Sequence, residues 1–427
     1  MLRCNLRSDG QKAKPRRWRC YWPVRNSSGG PEMSNTDANR LNRRQFIKTA
    51  ALLASAGSLP GLSWANSAIS GDNKLAVIIL RGAMDGLSAV IPYGDAALSG
   101  HRAALVPADN TLLKLDNFFA LHPAFSGLYQ LQQRGELGIV HAVASAYRER
   151  SHFDGQNILE SGLETAQSNP SGWLNRAIQV QTQQQAMALG QSVPLILRGQ
   201  ASVGSWAPSV LPAINDDTLS RLQNLYNNDS FLGPRLQEAL NARDIVGASM
   251  ENSRSVQGFA ALVDAAASFL NAAGGPNIVV MENDGWDTHA NQGAAQGILQ
   301  RKFTELDNSI TQLKTGLGAT WQNTVVVVMT EFGRTVRVNG SLGTDHGTAS
   351  VAFLAGGGLV KYGSRPAVLG PWPGLSESML RDGRDLQPTN DLRSLIAEIL
   401  QSHMGFPGSL VHEVVFPGLV AGGLRLS

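Results

Sequence analysis

Histidine and aspartate stand close together in two short motifs of this sequence. Asp287 and His289 are two residues apart in GWDTH, and Asp345 and His346 are adjacent in GTDHG. Residues two apart on an extended chain point to the same side, so Asp287 and His289 can share one metal ion. Asp345 and His346 converge only if the flanking glycines form a turn. Carboxylate oxygens and imidazole nitrogens suit zinc, manganese or magnesium, so these motifs predict a divalent metal site.

Three further motifs add candidate ligands. Asp85 lies in RGAMDG, His152 in RSHFDG and Glu331 in TEFGRT. An aspartate after a strand is often a helix cap instead, and a single histidine is often an ordinary hydrogen-bonded residue. The occurrence of three histidines beside acidic residues nevertheless favours a metal site. The histidines outside such motifs are assigned structural roles: His101, His122, His141, His403 and His412.

Arg150, Arg334 and Ser151 are the candidate catalytic residues. Each arginine lies within four residues of a candidate ligand, where a guanidinium would grip a phosphate, sulfate or carboxylate through two hydrogen bonds. The alternative for both is charge compensation of neighbouring acidic residues. Ser151 stands at a predicted helix start, where its hydroxyl is either a nucleophile or a helix cap. The residue types alone leave these alternatives open.

Apolar runs typical of buried strands alternate with helical patterns along the chain. This alternation predicts an α/β fold with a mainly parallel central sheet and helices on both faces. Ligands of such sheets bind outside the carboxyl ends of the strands, where the five motifs are expected to lie. The predicted strands are Lys74–Leu80, Leu137–Ala144, Val193–Leu197, Asn277–Glu282, Thr324–Thr330 and Val351–Leu354. The predicted helices are Ala124–Arg134, Phe153–Ser161, Gly172–Gln185, Phe259–Asn271, Gln296–Leu317 and a last helix that begins near Asp391 and ends at Met404.

The amino-terminal 65 residues have the features of an export leader. Arg43 and Arg44 precede an apolar stretch from Thr49 to Leu62, and Ser63-Trp64-Ala65 follows as a cleavage site. The stretch is shorter than the ~20 residues that span a bilayer. It indicates a twin-arginine signal, hence export by that machinery to the periplasm or beyond, with an ordinary Sec signal or a surface basic helix as the alternatives. Translation is expected to start at Met33.

Charge and cysteine content narrow the function classes. The chain carries 36 basic and 33 acidic residues, of which 12 and 3 lie in residues 1–65. The remaining 24 basic and 30 acidic residues form no cationic surface, which excludes nucleic acid as a partner. Both cysteines, Cys4 and Cys20, lie in the leader, so the body offers no thiolate ligands.

The predicted organisation is a leader followed by a single domain. With 43% hydrophobic residues, the chain can bury a sizeable core. Residues 66–427 are interpreted as one α/β domain. Residues 209–254 interrupt the alternation, because they are polar and helical in character, and they are interpreted as an insertion that caps the sheet.

Taken together, RGAMDG, SHFDGQ, GWDTH, TEFGRT and GTDHG behind a twin-arginine leader resemble the secreted domain-of-unknown-function 1501 family. The resemblance covers the chain from about Lys74 to its carboxyl end. That family looks like a remote branch of the alkaline phosphatase and sulfatase superfamily. Its members hold one or two divalent metals at the carboxyl ends of a central sheet, and a Ser, Thr or modified Cys at a helix start attacks phosphorus or sulfur.

The resemblance implies roles for several residues. Asp85 matches the superfamily's ligand after the first strand, and Ser151 matches its nucleophile. Asp287 and His289 match an Asp and a His after a middle strand, although the superfamily spaces them more widely.

One motif departs from the superfamily pattern. TEFGRT stands where an Asp-His pair is expected, but Phe332 cannot bind a metal. Either His346 or His152 replaces the missing ligand, or one metal position is lost. Alternatively Asp345-His346 is itself the pair, and Glu331 is structural.

Two functions from different classes follow. The first is an exported metal-dependent hydrolase of phosphate or sulfate esters, acting on a small-molecule or polymer-linked substrate. The second is a non-catalytic exported binding or assembly factor that keeps the phosphatase-like fold. A nicotinamide-dependent oxidoreductase is disfavoured, because RGAMDG lacks the glycine spacing that a pyrophosphate requires.

Overall fold

Buried strands form the central layer of the protein. The computed structural model describes residues 72–168, 170–181, 184–208, 216–250, 258–363 and 366–420. Its strands are β1 (Lys74–Leu80), β2 (Val90–Ile91), β3 (Leu113–Lys114), β4 (Ala120–Leu121), β5 (Leu137–Ala144), β6 (Ala186–Leu189), β7 (Gly204–Trp206), β8 (Ile278–Asn283), β9 (Thr324–Thr330), β10 (Ser350–Ala355), β11 (Val368–Leu369) and β12 (Asn390–Asp391).

Helices connect most of these strands. They are α1 (Gly86–Ala89), α2 (Leu98–Arg102), α3 (Ser126–Gln133), α4 (His152–Ser161), α5 (Trp173–Val180), α6 (Asp216–Tyr226), α7 (Leu232–Met250), α8 (Phe259–Asn271), α9 (Ile298–Leu317), α10 (Leu392–Ser402) and α11 (Gly408–Leu410). Short 3₁₀ turns occupy Ala103–Leu105, Asp109–Thr111, Leu195–Leu197, Gly318–Asn323, Gly357–Tyr362 and Glu377–Met379, and a π-helical turn occupies Val411–Val415. Within the residues that the structure describes, no helix is both long enough and apolar enough to cross a membrane.

In the described part of the chain, the large sheet has nine strands in the order β11-β5-β10-β9-β1-β8-β6-β7, with β12 also paired to β5. Central strand β1 pairs in parallel with β8 and with β9 along nearly its whole length. Strand β10 is antiparallel to both of its neighbours, β5 and β9, whereas the other pairings are parallel. The sheet is therefore mainly parallel, as the sequence predicts. A separate small antiparallel sheet contains β2, β4 and β3.

Alternate residues of β1 face two different halves of the core. Ala76, Ile78 and Leu80 pack in a cluster that includes apolar residues of α3, α8 and α9. The intervening residues pack in a second cluster with apolar residues of α5 and α10. Because successive strand side chains point to opposite faces, a strand that is apolar throughout must be covered on both sides. The prediction of helices on both faces is confirmed.

One predicted strand is wrong. Val193–Leu197 does not join the sheet, and Leu195–Leu197 forms a 3₁₀ turn instead. Pro194 lies at the start of this turn with φ −65°, and a proline has no N–H for a strand ladder. The predicted helix Gly172–Gln185 is too long, since the observed helix α5 ends at Val180. The strand of this region is β6, which begins directly after the predicted helix.

The predicted insertion contains α6 and α7. Helix α7 packs on α8, and its residues Pro234, Glu238 and Ile245 line a groove of about 530 Å³ with Met187 and Gly204 of the edge strands β6 and β7. Residues 209–215 and 251–257, at the two ends of this region, lie outside the described part of the chain, as does the predicted leader.

The direction of β10 determines which motifs meet. The carboxyl ends of the parallel strands β5, β9, β1 and β8 share one edge of the sheet, and the amino-terminal end of an antiparallel strand lies at that same edge. GTDHG ends two residues before β10 begins, so its side chains join those that follow β5, β8 and β9.

Candidate metal centre

Three segments bring ligand atoms to one point at this edge. His152 is the first residue of α4, Asp287 follows β8, and His346 precedes β10. Each of these three side chains offers one nitrogen or oxygen, and the three atoms lie within 4.8 Å of one another. The GWDTH and GTDHG motifs therefore meet at the carboxyl-terminal edge of the sheet, where the sequence predicts them.

His289 adds a third imidazole to the group. The Nε2 atom of His346 is 3.0 Å from Nε2 of His152 and 3.0 Å from Nε2 of His289. One carboxylate oxygen of Asp287 lies 3.0 Å from Nε2 of His289 and 3.2 Å from Nε2 of His346, and its other oxygen lies 3.5 Å from Nε2 of His152. Three imidazole nitrogens and a carboxylate thus share one small volume.

The opposite nitrogen of each imidazole is bound to an acceptor. Nδ1 of His152 lies 2.8 Å from Oε1 of Glu331, and Nδ1 of His289 lies 3.3 Å from Oδ1 of Asp345. Nδ1 of His346 lies 2.9 Å from the backbone oxygen of Arg150. An acceptor at Nδ1 requires the hydrogen there, which leaves the Nε2 lone pair of a neutral ring pointing into the cluster. Lone pairs 3.0 Å apart repel, so this donor set fits a cation between them.

Glu331 is buried and fixed from several directions. It accepts hydrogen bonds from the backbone N–H of Gly82 at 2.9 Å and the hydroxyl of Thr330 at 2.8 Å. Burial opposes ionisation of Glu331, but these bonds and that from His152 outweigh it and hold the pKa of the carboxyl below its usual value. The same hydrogen bond to Glu331 raises the pKa of His152. Glu331 thus supports a ligand and does not itself reach the cluster.

Arg334 is a buried partner of the central carboxylate. Its Nη1 donates to Asp287 at 2.6 Å, and its Nε and Nη2 donate to the hydroxyl and backbone oxygen of Thr344. Burial opposes ionisation of Asp287, but the hydrogen bond and charge of Arg334 outweigh it and lower the pKa of Asp287. The guanidinium compensates the charge of a candidate ligand, which is the second alternative that the sequence offers for it.

Arg150 is also engaged with carboxylates. Its Nε donates to Asp385 at 2.8 Å, and its Nη2 donates to Asp382 at 3.0 Å. Its backbone has φ +63°, a conformation that L-residues rarely adopt, and its carbonyl holds His346. Arg150 therefore contributes to the cluster through its backbone.

Ser151 occupies the N-cap position of α4, but its hydroxyl makes no capping hydrogen bond. Its backbone N–H donates to the hydroxyl of Tyr147 at 2.9 Å. The side chain is half-buried, directly before His152. The capping alternative for Ser151 thus lacks the hydrogen bond that defines a cap.

Asp85 lies apart from the cluster. Its carboxylate caps α1 through Ser88 and pairs with the buried Arg102. It also accepts a hydrogen bond from Gln292 at 2.7 Å. Asp85 is fully enclosed by these partners, so the structure does not bring it to the other candidate ligands. Asp85 therefore acts as a helix cap, which is the alternative role for an aspartate after a strand.

The family of the chain is decided by its sequence. The model of the family described as proteins of unknown function, DUF1501, matches residues 140–415. This chain belongs to the DUF1501 family. No curated protein matches it.

Several solved structures are similar to this DUF1501 protein at low identity. A sulfatase from Pseudoalteromonas sp., PsFucS1, is 14% identical with a TM-score of 0.32, covering 76% of this chain and 66% of the sulfatase, just under two thirds. The C-terminal periplasmic domain of EcEptC from Escherichia coli, in complex with Zn, is 10% identical with a TM-score of 0.35, covering 86% and 96%. The phosphonate monoester hydrolase of Agrobacterium radiobacter is 10% identical with a TM-score of 0.36, covering 78% and 74%.

Phe332 has a structural part in this DUF1501 site that the sequence analysis missed. Its ring stacks on His152 with centroids 5.0 Å apart and approaches His346 at 5.3 Å. It belongs to a small buried cluster with Tyr147 and Ile158. The residue that cannot bind a metal therefore supports two residues that can. The signal was its place beside Glu331 in TEFGRT.

Asn339 and Gln292 were also missed. The side-chain amide of Asn339 donates to the backbone oxygen of His289 and to Asp345, both within 3.0 Å. Gln292 is buried and accepts hydrogen bonds from Thr288 and Thr344 at 2.8 Å. Neither amide lies in an Asp-His motif, so no pattern of acidic residues and histidines could single it out.

Proposed function

We propose that this DUF1501 protein is an exported metal-dependent hydrolase of phosphate or sulfate esters. The observation that carries the proposal is the set of Nε2 atoms directed at each other and at Asp287, each with its Nδ1 atom bound to an acceptor. A divalent ion held there would stabilise the negative charge of the leaving oxygen and lower the pKa of a hydroxyl or water.

The residues would divide the work as follows. Asp287, His152 and His346 hold the first ion, and His289 completes its shell or contributes to a second ion. Glu331 and Asp345 orient imidazoles in the way that outer carboxylates orient metal-bound histidines. A nitrogen-rich set suits zinc better than magnesium, which prefers oxygen ligands.

Ser151 is our proposed nucleophile. Its hydroxyl is not used as a cap, and it precedes ligand His152 at the amino-terminal end of α4, where the partial positive charge favours an anion. The guanidinium groups of Arg150 and Arg334 bind carboxylates, so we propose that they orient Asp287 and the loop around Asp385.

A non-catalytic binding factor is the second candidate. Phe332 stands where the superfamily has a ligand pair, which leaves fewer ligands for a second ion. The same centre would then bind an anionic group without cleaving it.

The test combines metal analysis with two substrates. We expect protein purified from the periplasm to contain a stoichiometric transition metal and to cleave aryl phosphates or aryl sulfates. A chelator should abolish turnover, and the metal should restore it. Bound metal without turnover of either ester class, with any divalent ion, would favour the binding factor. Absence of any bound metal would refute both versions of the centre.

A further inference from the structure

Two large apolar side chains are exposed beside the candidate metal centre. Phe153 directly follows ligand His152 in the first turn of α4, and 88% of its surface is exposed. Leu342 lies in the loop that precedes GTDHG, and 56% of its surface is exposed. Exposed apolar residues are common singly, but two beside one polar centre require an explanation other than packing.

Leu342 is held in a strained backbone conformation. Its φ is +55°, in the left-handed region that bulky L-residues rarely occupy. The side chain of Asn339 fixes the loop by accepting hydrogen bonds from the N–H groups of Ser341 and Gly343. The loop is also attached to the segment after His289, because the N–H of Gln292 donates to the backbone oxygen of Leu342 at 3.0 Å. The surroundings therefore enforce a costly conformation that leaves an apolar side chain in water.

Phe153 and Leu342 belong to segments that are attached to different ligands. Consecutive Cα atoms are about 3.8 Å apart, so Phe153 adjoins the His152 side. Leu342 adjoins the His289 side through the contacts of its loop. The centre itself is open to solvent, since the side chain of Asp287 is 41% exposed and that of His289 is 45% exposed. A bound ester would therefore have its organic part outside the ligand cluster, where exposed side chains of the neighbouring segments can contact it.

We propose that Phe153 and Leu342 bind an apolar or aromatic group of the substrate. This rests on the proposed function and specifies its substrate class: a phosphate or sulfate ester whose organic part is aromatic or aliphatic. Water-exposed apolar area on the protein would be covered by apolar area of the ligand, which is favourable for both surfaces. Neither residue touches the reacting atoms, so both determine specificity and leave the chemistry to the metal centre.

The test measures binding of phenylphosphonate and methylphosphonate to the metal-loaded protein. Both probes carry a phosphonate group, and measurement at a pH where both are dianions leaves the organic part as the difference between them. We expect phenylphosphonate to bind about tenfold tighter to the wild type, as burial of one ring predicts. Phe153→Ala should remove most of this preference, and Leu342→Gly should reduce it while also relieving backbone strain.

Phe231→Ala is the matched control. Phe231 is 68% exposed near the start of α7, where the guanidinium of Arg235 lies over its ring. Its replacement should leave the affinities for both phosphonates unchanged.

Several outcomes would overturn the proposal. Equal affinity of the two phosphonates for the wild type would do so, and so would an undiminished phenyl preference in Phe153→Ala. A preference that Phe231→Ala removes equally would also do so, because a general change in the protein would then be responsible. A phenyl preference that depends on Phe153, without turnover of any ester, would support this inference and refute the hydrolase. If neither phosphonate bound to the metal-loaded protein, both this inference and the proposed hydrolase would be refuted.

Discussion

Each imidazole of the centre is oriented by one hydrogen bond at Nδ1. The shortest of these bonds joins His152 to buried Glu331. This bond fixes both the tautomer and the rotation of the ring, and the stacked ring of Phe332 limits its other movements. A ligand that is oriented before the metal arrives loses little freedom on binding. The affinity of the centre therefore depends on residues that never touch the ion.

Glu331→Gln tests this dependence. The change keeps the size of the side chain but removes the charge that supports the His152 imidazole. We expect the affinity for zinc to fall about 10- to 100-fold, measured by competition with a chromophoric chelator. Glu305→Gln, at an ion pair with Lys302 on α9, is the control and should bind zinc like the wild type. Equal affinities of the two variants would contradict the supporting role of Glu331.

Ser151→Ala separates a nucleophile from a cap. Because the Ser151 hydroxyl makes no capping bond, we expect the free energy of unfolding to change by less than about 0.5 kcal/mol. Ester turnover should fall by several powers of ten if the hydroxyl attacks the substrate. Urea denaturation and initial rates measure the two effects.

Asp391→Ala is the control for the stability measurement. Asp391 does cap α10, since its side chain accepts a hydrogen bond from the N–H of Arg393 at 2.8 Å. Its removal should cost about 1 kcal/mol. A comparable loss in Ser151→Ala, together with unchanged turnover, would show that Ser151 is only a cap.

At the scale of single elements, strand β5 contains a backbone irregularity at which His141 forms two hydrogen bonds. Ala142 has φ +50°, and the register with β10 shifts between Ser350 and Ala352. The N–H of Ala142 donates to Nδ1 of His141 at 2.8 Å, and Nε2 of His141 lies 2.9 Å from the oxygen of Val90. The buried ring must therefore be neutral, with its hydrogen on Nε2.

We expect acid to lower the stability of the folded protein, because the buried His141 of β5 is neutral in the folded state. Burial lowers the pKa of His141 from 6.5 to about 4. Between these values the unfolded chain binds a proton that the folded state does not, so stability present above about pH 6.5 is lost as the pH falls. His403, whose pKa burial also lowers to about 4, acts in the same direction. We expect the urea midpoint to decrease steadily from about pH 6.5 to 4.

His141→Gln checks the assignment. Glutamine cannot gain a proton, so the variant should be less stable at pH 7 but should lose less of its remaining stability on acidification. The difference in slope should approach about 1.4 kcal/mol per pH unit at most. Parallel curves for wild type and variant would exclude His141 as a source of the acid sensitivity.

The turn after β9 depends on a close approach of two backbones. The N–H of Gly333 donates to Thr348, and a Cβ atom at Gly333 would lie only 1.7 Å from the oxygen of Ala349. Gly333→Ala would force apart the segments that carry Glu331 and His346. We expect a loss of at least about 2 kcal/mol in stability and a lower metal content.

Gly340→Ala is the matched control for this turn, because no atom would lie within 4 Å of its added Cβ. Thermal denaturation and metal analysis of both variants measure the effect. If Gly333→Ala kept the stability and metal content of Gly340→Ala, the close approach would not matter for the centre.

Patterns that repeat within one element could be predicted from the sequence, whereas pairings between distant residues could not. Strands β1 and β5 have the predicted limits, because an apolar run without polar interruption suits only a doubly covered strand. Strand β6 was missed, since its few residues follow a glutamine-rich stretch that favours a helix.

The candidate site shows the same division. The position of five motifs at strand ends predicted that His152, Asp287 and His346 converge. It could not show that Asp85 pairs with Arg102, because two acidic residues that each follow a strand look alike until their partners are known. The antiparallel direction of β10, which brings His346 to the site, is likewise a property of the assembled sheet.

On the scale of the whole molecule, export remains a prediction from the first 65 residues. Replacing Arg43 and Arg44 with lysine should leave the protein in the cytoplasm, because twin-arginine transport requires the arginine pair. Cell fractionation with a Sec-dependent reporter in the same cells measures the effect and controls for general damage to secretion. Continued export of the double variant would exclude the twin-arginine route.

The reversed direction of β10 also sets an order of events during biosynthesis. His152 and His346 are separated by 194 residues, and the second of them is placed only when β10 has entered the sheet between β5 and β9. A nascent or truncated chain that ends before β10 would have His152 and Asp287 but no complete centre. Ion capture would therefore follow the closure of the sheet, so the compartment in which the chain finishes folding would decide which metal it acquires.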